Sequence, residues 1–434
     1  MLITGKIFRA LSQVFRSFFL VPYFGFVQGH DYLTREDLRR IKSLVGTANL
    51  AIEADFEKYF SGLIGDGQAV AFATGRMGFF ALLQALSIRE GDEVVLQGAT
   101  CSVMVNAVLR TGASPVYADI DANTFGSSAD DIMKVLSPRT RLIVAQHSFG
   151  IPCDIEPILE LAKGRGIFLL EDCALTVGSR INGTICGNFG DAALFSTDHS
   201  KPINTISGGL VYTRNSSLYA ELKKIQSHIG TFSAKKQKSL WHQLILERNY
   251  CKPARYGRMR LMQLVYSNLL GVTMNAFASE DYGSAASVSY PYPARIPGFL
   301  AALGILEIDR WHRTVRVRKE ILDSLLQVIE KQCGENLPGS YHDKSREIVP
   351  LRIAWSAKNA ELIRQRLSSI LETSGIWFMQ PIIASNEPLE NFGYEPGCCP
   401  KSEMIGHSIV NLPCNISQES LVSLTEKLRK LWMV

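Results

Sequence analysis

The sequence is short of the features that would assign it at a glance. None of its nine cysteines forms a CxxC pair or a Cys/His set with zinc-site spacing, and an odd number cannot all pair within one chain. The adjacent Cys398 and Cys399 read as ordinary packing. No metal site is expected, and the cysteine usage points to a reducing cytoplasm, where the glycosylation-type triplet at Asn182 reads as chance. There is no uninterrupted membrane-length apolar run. The opening "MLITGKIFRALSQVFRSFFLVPYFGFVQGHD" is broken by Arg9 and Arg16 and turns polar without a small-residue cleavage site. Neither a spanning helix nor a signal peptide is expected there. Charge of one sign is not in large excess either, and a net +5 over 434 residues gives no reason to expect nucleic acid. Repeats and low-complexity tracts are absent. With 46% apolar and 20% charged residues the chain can bury large cores, with room for about two or three domains.

What the sequence does have is a rhythm. From residue 68 to 213 short apolar runs alternate with helical patterns: "AVAFAT", then "RMGFFALLQALSI", "EVVLQ", "CSVMVNAVLRTG", "SPVYADI", "RLIVAQHSF", "IEPILELAKGRG" and "IFLLEDCA". This βαβ alternation predicts an α/β fold, a mostly parallel sheet flanked by helices, with ligands beyond the carboxyl ends of the strands. Residues 221–262 break the rhythm, with ten Lys/Arg against two Glu and with Trp241, Leu244, Tyr250 and Tyr256 interleaved. From 296 apolar residues recur at helical steps (Leu303, Leu306, Leu322, Leu325, Ile329), which predicts one long helix. The expected division is an amphipathic extension at 1–44, a large domain at 45–295 with a basic helical insertion at 221–285, and the long helix with a smaller C-terminal α/β domain at 296–434. The extension and the insertion each carry two readings: packing on their own protein, or resting on an anionic membrane surface. The insertion has a third, holding a nucleotide diphosphate at the active-site mouth.

Chemistry concentrates around Lys201. It stands in "STDHSKPINTISGG", after the strand-like "AALFS", and about thirty residues earlier "IFLLEDCA" ends on Glu171-Asp172. A lysine and an aspartate converging at one edge of a parallel sheet fit pyridoxal phosphate. The amine condenses with the cofactor's aldehyde, and the carboxylate keeps the pyridine nitrogen protonated. The phosphate needs backbone N–H groups at a helix start and a hydroxyl. "ATGRMG", with Gly75, Arg76 and Met77, offers the first, and Ser196 the second. The alternative for Asp172 is a helix cap, and for His199 a structural role in place of a contact with the cofactor ring.

These segments, in this order, resemble the DegT/StrS family of pyridoxal-phosphate sugar aminotransferases, from about residue 45 to the C-terminus. The matching stretches include "TGRMGFFALLQAL", "HSFGIPCDIEPI", "EDCALTVGS", "GDAALFSTDHSKPINTISGG", "IPGFLAALGILEIDRW" and "CPKSEMIGHSIVNLPCNIS". The resemblance implies fold type I architecture, Lys201 as the cofactor lysine, Asp172 as the pyridine-nitrogen aspartate and Ser196 at the phosphate. It further implies a homodimer, a keto-sugar nucleotide as acceptor, and an amino-acid donor, expected to be glutamate.

The departures bear on the substrate. Arg76 replaces the family's usual threonine, Cys101 its ring-stacking aromatic, Leu175 its Gln or His, and Ser207 the acid of Gly-Glu-Gly-Gly. Pro293 stands where many members have the asparagine sent to the partner's phosphate, so no function is carried onto it. Two other readings remain open. A related sugar dehydratase is one, although those of this fold replace the lysine with histidine; a catalytically idle homologue is the other.

Overall fold

The computed structural model describes residues 22–259, 291–333, 337–373, 376–385 and 387–432. Seven strands form the central sheet: β1 (Gln68–Phe72), β2 (Glu93–Gln97), β3 (Ser114–Ala118), β4 (Thr140–Gln146), β5 (Phe168–Asp172), β6 (Ala192–Ser196) and β7 (Gly209–Thr213). Their order is β1-β7-β6-β5-β4-β2-β3. Neighbours from β6 to β3 are parallel, while β7 runs antiparallel to both β1 and β6. Strands β2, β6 and β7 are buried along their whole length, which is why they read as continuous apolar runs without alternation.

Helices cover both faces. The chain-order set in the large domain is α1 (Arg35–Ser43), α2 (Leu50–Ile64), α3 (Gly75–Ala85), α4 (Ser102–Leu109), α5 (Ala129–Val135), α6 (Ile155–Arg165), α7 (Ser216–His228), α8 (Ala234–Tyr250) and α9 (Gly298–Asp309). One face packs Phe56, Phe60, Phe72 and Leu82 into the main core. The other sets Val95, Ile143 and Leu169 against Ile132 of α5 and Ile158 of α6.

The basic segment differs from its expected outline. Residue 221 lies inside α7, whose Leu218, Leu222 and Gln226 form a buried stripe against β1 and α3, so α7 is one of the sheet's covering helices. Its run of cations misleads because Lys223 reaches back to Glu57, at 2.9 Å, leaving the apolar stripe free to pack. Helix α8 buries Trp241 and Leu244, and Tyr256 beyond it is 4% exposed. Trp241, Leu244 and Tyr256 thus face the protein, and Lys235, Lys238, Arg255 and Arg258 are among the residues that face outward. Residues 260–285 of the expected insertion lie outside the described residues.

The single long helix is in fact two, α9 and α10 (Trp311–Cys333), meeting at Arg310. The apolar stripe serves two cores: Leu303 belongs to the large domain, whereas Leu322, Leu325 and Ile329 belong to the small one. The small domain adds β8 (Arg352–Ser356), α11 (Ala360–Leu367), α12 (Pro400–Ser408), β9 (Ile409–Pro413) and α13 (Gln418–Trp432), with β8 and β9 antiparallel.

Residues 22–33 form a strap across the two domains. Phe24 bonds in parallel fashion beside Leu371, its N–H donating to the Ile370 carbonyl at 2.8 Å, and Gly29 N–H donates to the Cys251 carbonyl at 3.0 Å. Phe24 and Phe26 are buried in the small-domain core and Leu33 in the large one. This part of the N-terminal extension packs on its own protein; residues 1–21, with Arg9 and Arg16, lie outside the described residues.

Candidate active site

The ends of β1, β5 and β6 meet at one edge of the sheet, where a parallel strand arrangement opens a crevice. Helix α3 starts there, capped by Thr74, whose hydroxyl accepts from the Met77 N–H at 3.2 Å. The approach is close enough to require glycine. A Cβ on Gly75 would lie 3.1 Å from the Ser196 Cβ, and one on Gly209 would lie 2.3 Å from the Gly75 Cα. The first N–H groups of α3 and the Ser196 hydroxyl therefore share one small cradle. Oriented N–H groups at a helix start, beside a hydroxyl, are what a phosphate takes. Arg76 is buried at its edge, and its carbonyl accepts from Tyr292 Oη at 3.5 Å.

Asp172 closes β5, its Oδ1 accepting from the Ala174 N–H at 2.9 Å. Burial holds its carboxyl above the usual aspartate range, opposed by that N–H and by the Lys201 charge. Lys201 follows a tight turn in which its N–H donates to the Asp198 carbonyl at 2.9 Å. Burial pushes its amine below the usual lysine range and Arg352 adds to this, against the pull of Cys101, Asp198 and Asp172. Cys101, at the N-cap of α4, has its thiol raised by burial, with Lys201, Arg76 and Asp172 as its charged surroundings. Gly75, Arg76, Cys101, Asp172, Ser196 and Lys201 thus gather at one edge of the sheet, while the Met77 side chain is wholly buried in the main core and its N–H is spent on the Thr74 cap. His199 turns away from the crevice floor toward α8, with Nδ1 3.1 Å from Glu247 Oε1 and Nε2 3.6 Å from Asp198.

Several members carry no signal in a single sequence. The Trp377 ring lies 4.7 Å from Lys201 Nζ, and the Arg352 guanidinium stacks 5.3 Å from the same ring and 4.1 Å from Phe26. Arg352 also donates to Asn411 at 3.2 Å. These residues come from the strap and the small domain, more than a hundred positions from Lys201, so only folding brings them there. Glu171 did carry a signal, as a charge ending an apolar strand. Its partners are His147 Nε2, at 3.2 Å, and the N–H groups of Gly187, Phe189 and Gly190 at 2.7 to 2.8 Å. His147, Glu171 and Cys173 are close enough to hold an ion. The His147 Nδ1, however, accepts from the Cys153 N–H at 3.1 Å, so Nε2 carries the proton and donates to Glu171. Both ring nitrogens and both carboxylate oxygens are already engaged.

The departures have local explanations. Leu175 fills the small-domain core, and the Ser207 hydroxyl donates to the Ala73 carbonyl at 2.6 Å, pinning the strand that leads into the cradle. Pro293 is buried beside Tyr292, whose ring meets Phe80 edge to face, with centroids 5.3 Å apart.

The chain resembles known proteins in both sequence and fold. A stretch of 191 residues is 35% identical to the GDP-perosamine synthase of Escherichia coli O157:H7, covering 43% of this chain and 52% of that one. The protein of the same name from Vibrio cholerae is 24% identical over 82% of this chain and 84% of its own length. The chain thus spans about half the length of the first of these relatives and most of the second. Among solved structures, the aminotransferase from Psychrobacter cryohalolentis superposes with a TM-score of 0.69 at 18% identity, covering 92% of this chain and 97% of that one. At that identity the likeness speaks for the fold, a helix-flanked, mostly parallel sheet with a smaller second domain. Over residues 46–428, which include the cradle, Asp172 and Lys201, the chain belongs to the DegT/DnrJ/EryC1/StrS aminotransferase family.

Proposed function

We propose that the chain is a pyridoxal-phosphate-dependent aminotransferase. It converts a nucleotide-linked keto-sugar to an amino-sugar, with an amino-acid donor such as glutamate, for surface polysaccharide or secondary-metabolite synthesis. The observation that carries this reading is the convergence of Lys201, Asp172 and the Gly75–Ser196 cradle at one sheet edge. The donor set fits the cofactor. A cradle that a single Cβ would fill suits a phosphate, a buried carboxylate suits a protonated ring nitrogen, and a lysine with depressed basicity suits an aldehyde.

Bound pyridoxal phosphate supplies an electron sink for bonds broken at the amine-bearing carbon of the substrate. The residues do the rest. The α3 N–H groups and Ser196 hold the phosphate, with Arg76 offsetting its charge, and Asp172 keeps a proton on the ring nitrogen. Cys101 places a sulfur where the family stacks an aromatic ring. Lys201, biased toward its neutral form by burial, carries a proton to and from the reacting carbon, a role typically worth about 10² to 10⁴-fold. Trp377 and the strap cover the lysine and exclude water. Ser207 pins the strand that leads into the cradle and Leu175 packs in the small-domain core, so both departures leave the cradle intact, which supports an active enzyme over an idle homologue; the presence of Lys201 weighs against the dehydratase reading. The test incubates cofactor-loaded protein with glutamate and a panel of nucleotide keto-sugars and measures 2-oxoglutarate. No release across the panel would refute the assignment.

The working form in this proposal is a cytoplasmic homodimer with active sites at the subunit interface. A strictly monomeric, active enzyme in light scattering would contradict it. Among the described residues no helix is long and apolar enough to cross a membrane. Peripheral contact at the inner membrane face would then rest on the outward cations of residues 235–258 and on residues 1–21. Failure to co-sediment with anionic liposomes in low salt would remove it.

A further inference from the structure

We infer that Trp377, carried by the small domain, is the aromatic wall against the ring of bound pyridoxal phosphate, filling the role that the family gives to an aromatic residue and that Cys101 cannot perform. The inference rests on the cofactor part of the reading above. The Trp377 ring lies over the reacting lysine, its centroid 4.7 Å from Lys201 Nζ. That nitrogen is the atom that condenses with the cofactor's aldehyde, so the aldehyde carbon is one bond from it and the pyridine ring one bond further. A cofactor joined to Nζ therefore begins beside the indole face. Its ring, kept protonated by Asp172, is a cation, and among aromatic side chains indole attracts a cation best. Cys101 has Lys201, Arg76 and Asp172 as its charged neighbours, yet it offers one sulfur and no π face, and burial raises its thiol so that it stays neutral.

The loop that carries Trp377 is fixed to the segment whose aromatic is missing. Ile382 and Ile383 pair in parallel with Thr100 and Cys101, and the Thr100 N–H donates to the Pro381 carbonyl at 3.1 Å. Asn411 of β9 is fully buried; its amide donates to the Trp377 carbonyl and its Oδ1 accepts from Arg352, each at 3.2 Å. The Arg352 guanidinium in turn lies 5.3 Å from the indole centroid. The next residue, Phe378, has a φ of +68°, in the left-handed region that a bulky side chain rarely adopts. Its ring is buried 4.8 Å from that of Phe149, in the small-domain core, while Trp377 stays over the lysine. Such a conformation persists where the surroundings over-determine it, and it clusters at functional sites. Helix α12 lies directly against the same loop, since a Cβ on Gly406 would come 3.0 Å from the Met379 carbonyl oxygen.

An indole face also suits a sugar ring, whose C–H groups can pack on it. The short distance to Nζ favours the cofactor, because the cofactor's aldehyde bonds to that nitrogen and the sugar does not.

The experiment titrates cofactor-free protein with pyridoxamine 5′-phosphate, which has the ring and the phosphate but no aldehyde and so cannot condense with Lys201. Calorimetry reads the affinity, tryptophan emission reads the contact, and steady-state assays of cofactor-loaded protein give the keto-sugar KM. Wild type should bind with its emission quenched. Trp377→Leu should weaken binding by about tenfold. Trp377→Phe keeps an aromatic face, so its affinity should stay within about threefold of wild type while the largest part of the quenching disappears. Adding Cys101→Phe to Trp377→Leu should recover most of the lost affinity, which a merely structural role for Trp377 would not allow. The quenching in Trp377→Phe decides the matter if Trp377→Leu fails to fold. An affinity in Trp377→Leu within about twofold of wild type would overturn the proposal, and so would unaltered quenching in Trp377→Phe. A change confined to the keto-sugar KM would overturn it too, by assigning the indole face to the sugar. Binding and quenching as described, without transamination of any keto-sugar, would leave the aromatic wall standing and refute the functional reading.

Discussion

Replacing Gly209 with alanine tests whether the phosphate cradle is built by backbone approach. Gly209 opens β7, and an added Cβ would lie 2.3 Å from the Gly75 Cα and 2.4 Å from the Gly75 nitrogen. Its φ is outside the left-handed region, so the objection to a side chain is space alone. Ordinary contact begins near 3.4 Å, which means that the two segments must part by about 1 Å. Neither can move easily. Gly209 is paired on one side with Phe72 and on the other with Ser196, and Gly75 begins a buried helix. Overpacking of this kind costs about 1–3 kcal/mol in stability. The same displacement separates the α3 N–H groups from Ser196 and removes about one charge-assisted hydrogen bond to the phosphate. That bond contributes about 1.5–3 kcal/mol, so the Kd for pyridoxal phosphate should rise by about 10 to 100-fold. Titration of cofactor-free protein with pyridoxal phosphate, followed by absorbance, reads the affinity, and thermal unfolding reads the stability. Gly230→Ala is the control, since nothing lies within 4 Å of its added Cβ. A Gly209→Ala protein with a Tm within about 1 °C of wild type and a Kd within about threefold would refute the reasoning.

Lys201→Ala should keep the fold and measurable cofactor affinity but lose at least about 10²-fold in turnover; activity near wild type would remove it from the mechanism. Asp172→Asn should act in opposite directions on activity and stability. Burial raises the folded-state pKa above the unfolded value, so the carboxyl favours folding below the ordinary aspartate range and that contribution is lost as pH rises through the raised pKa. At pH 7 the cofactor-free Asp172→Asn protein should therefore melt higher than wild type, while its turnover falls by about 10²-fold or more, and a lower Tm would contradict the sign. Glu171→Ala strands three backbone N–H groups and the His147 N–H in a buried site. At about 1–3 kcal/mol for each unsatisfied group, a loss on the order of 4 kcal/mol or more is expected in urea denaturation, and less than about 1 kcal/mol would mean that water replaces the carboxylate.

Much of the large domain was legible because its strands are buried on both faces and its helices on one, so periodicity and local composition record their environment directly. The groups proposed to hold the cofactor carry a local signal for a related reason. Gly75, Asp172 and Ser196 each stand at the end of a strand or the start of a helix, where a single polar or small residue against an apolar run marks a site, and Lys201 lies in the turn that follows β6. The order of those marks along the chain is itself a signature. Element boundaries were less secure where charge masked packing. In α7, Lys223 can bury its stem and reach Glu57, so a basic run concealed a sheet-covering helix.

The surroundings of Lys201 and His199 belong to the tertiary structure alone. Phe26, Glu247, Arg318, Arg352 and Trp377 lie on a strap, a basic helix, a connecting helix and the small domain, and nothing in their own neighbourhoods distinguishes them from ordinary core or surface residues. His199 illustrates the division. From the sequence it is a polar residue two positions before the lysine; its charge and direction are set by Asp198 beside it and by Glu247, forty-eight positions away. Local sequence determines what a residue can do when its neighbours are the chain's own next turns. Partners supplied by chain closure depend on the packing of whole elements, and that information is spread over every residue in their interfaces.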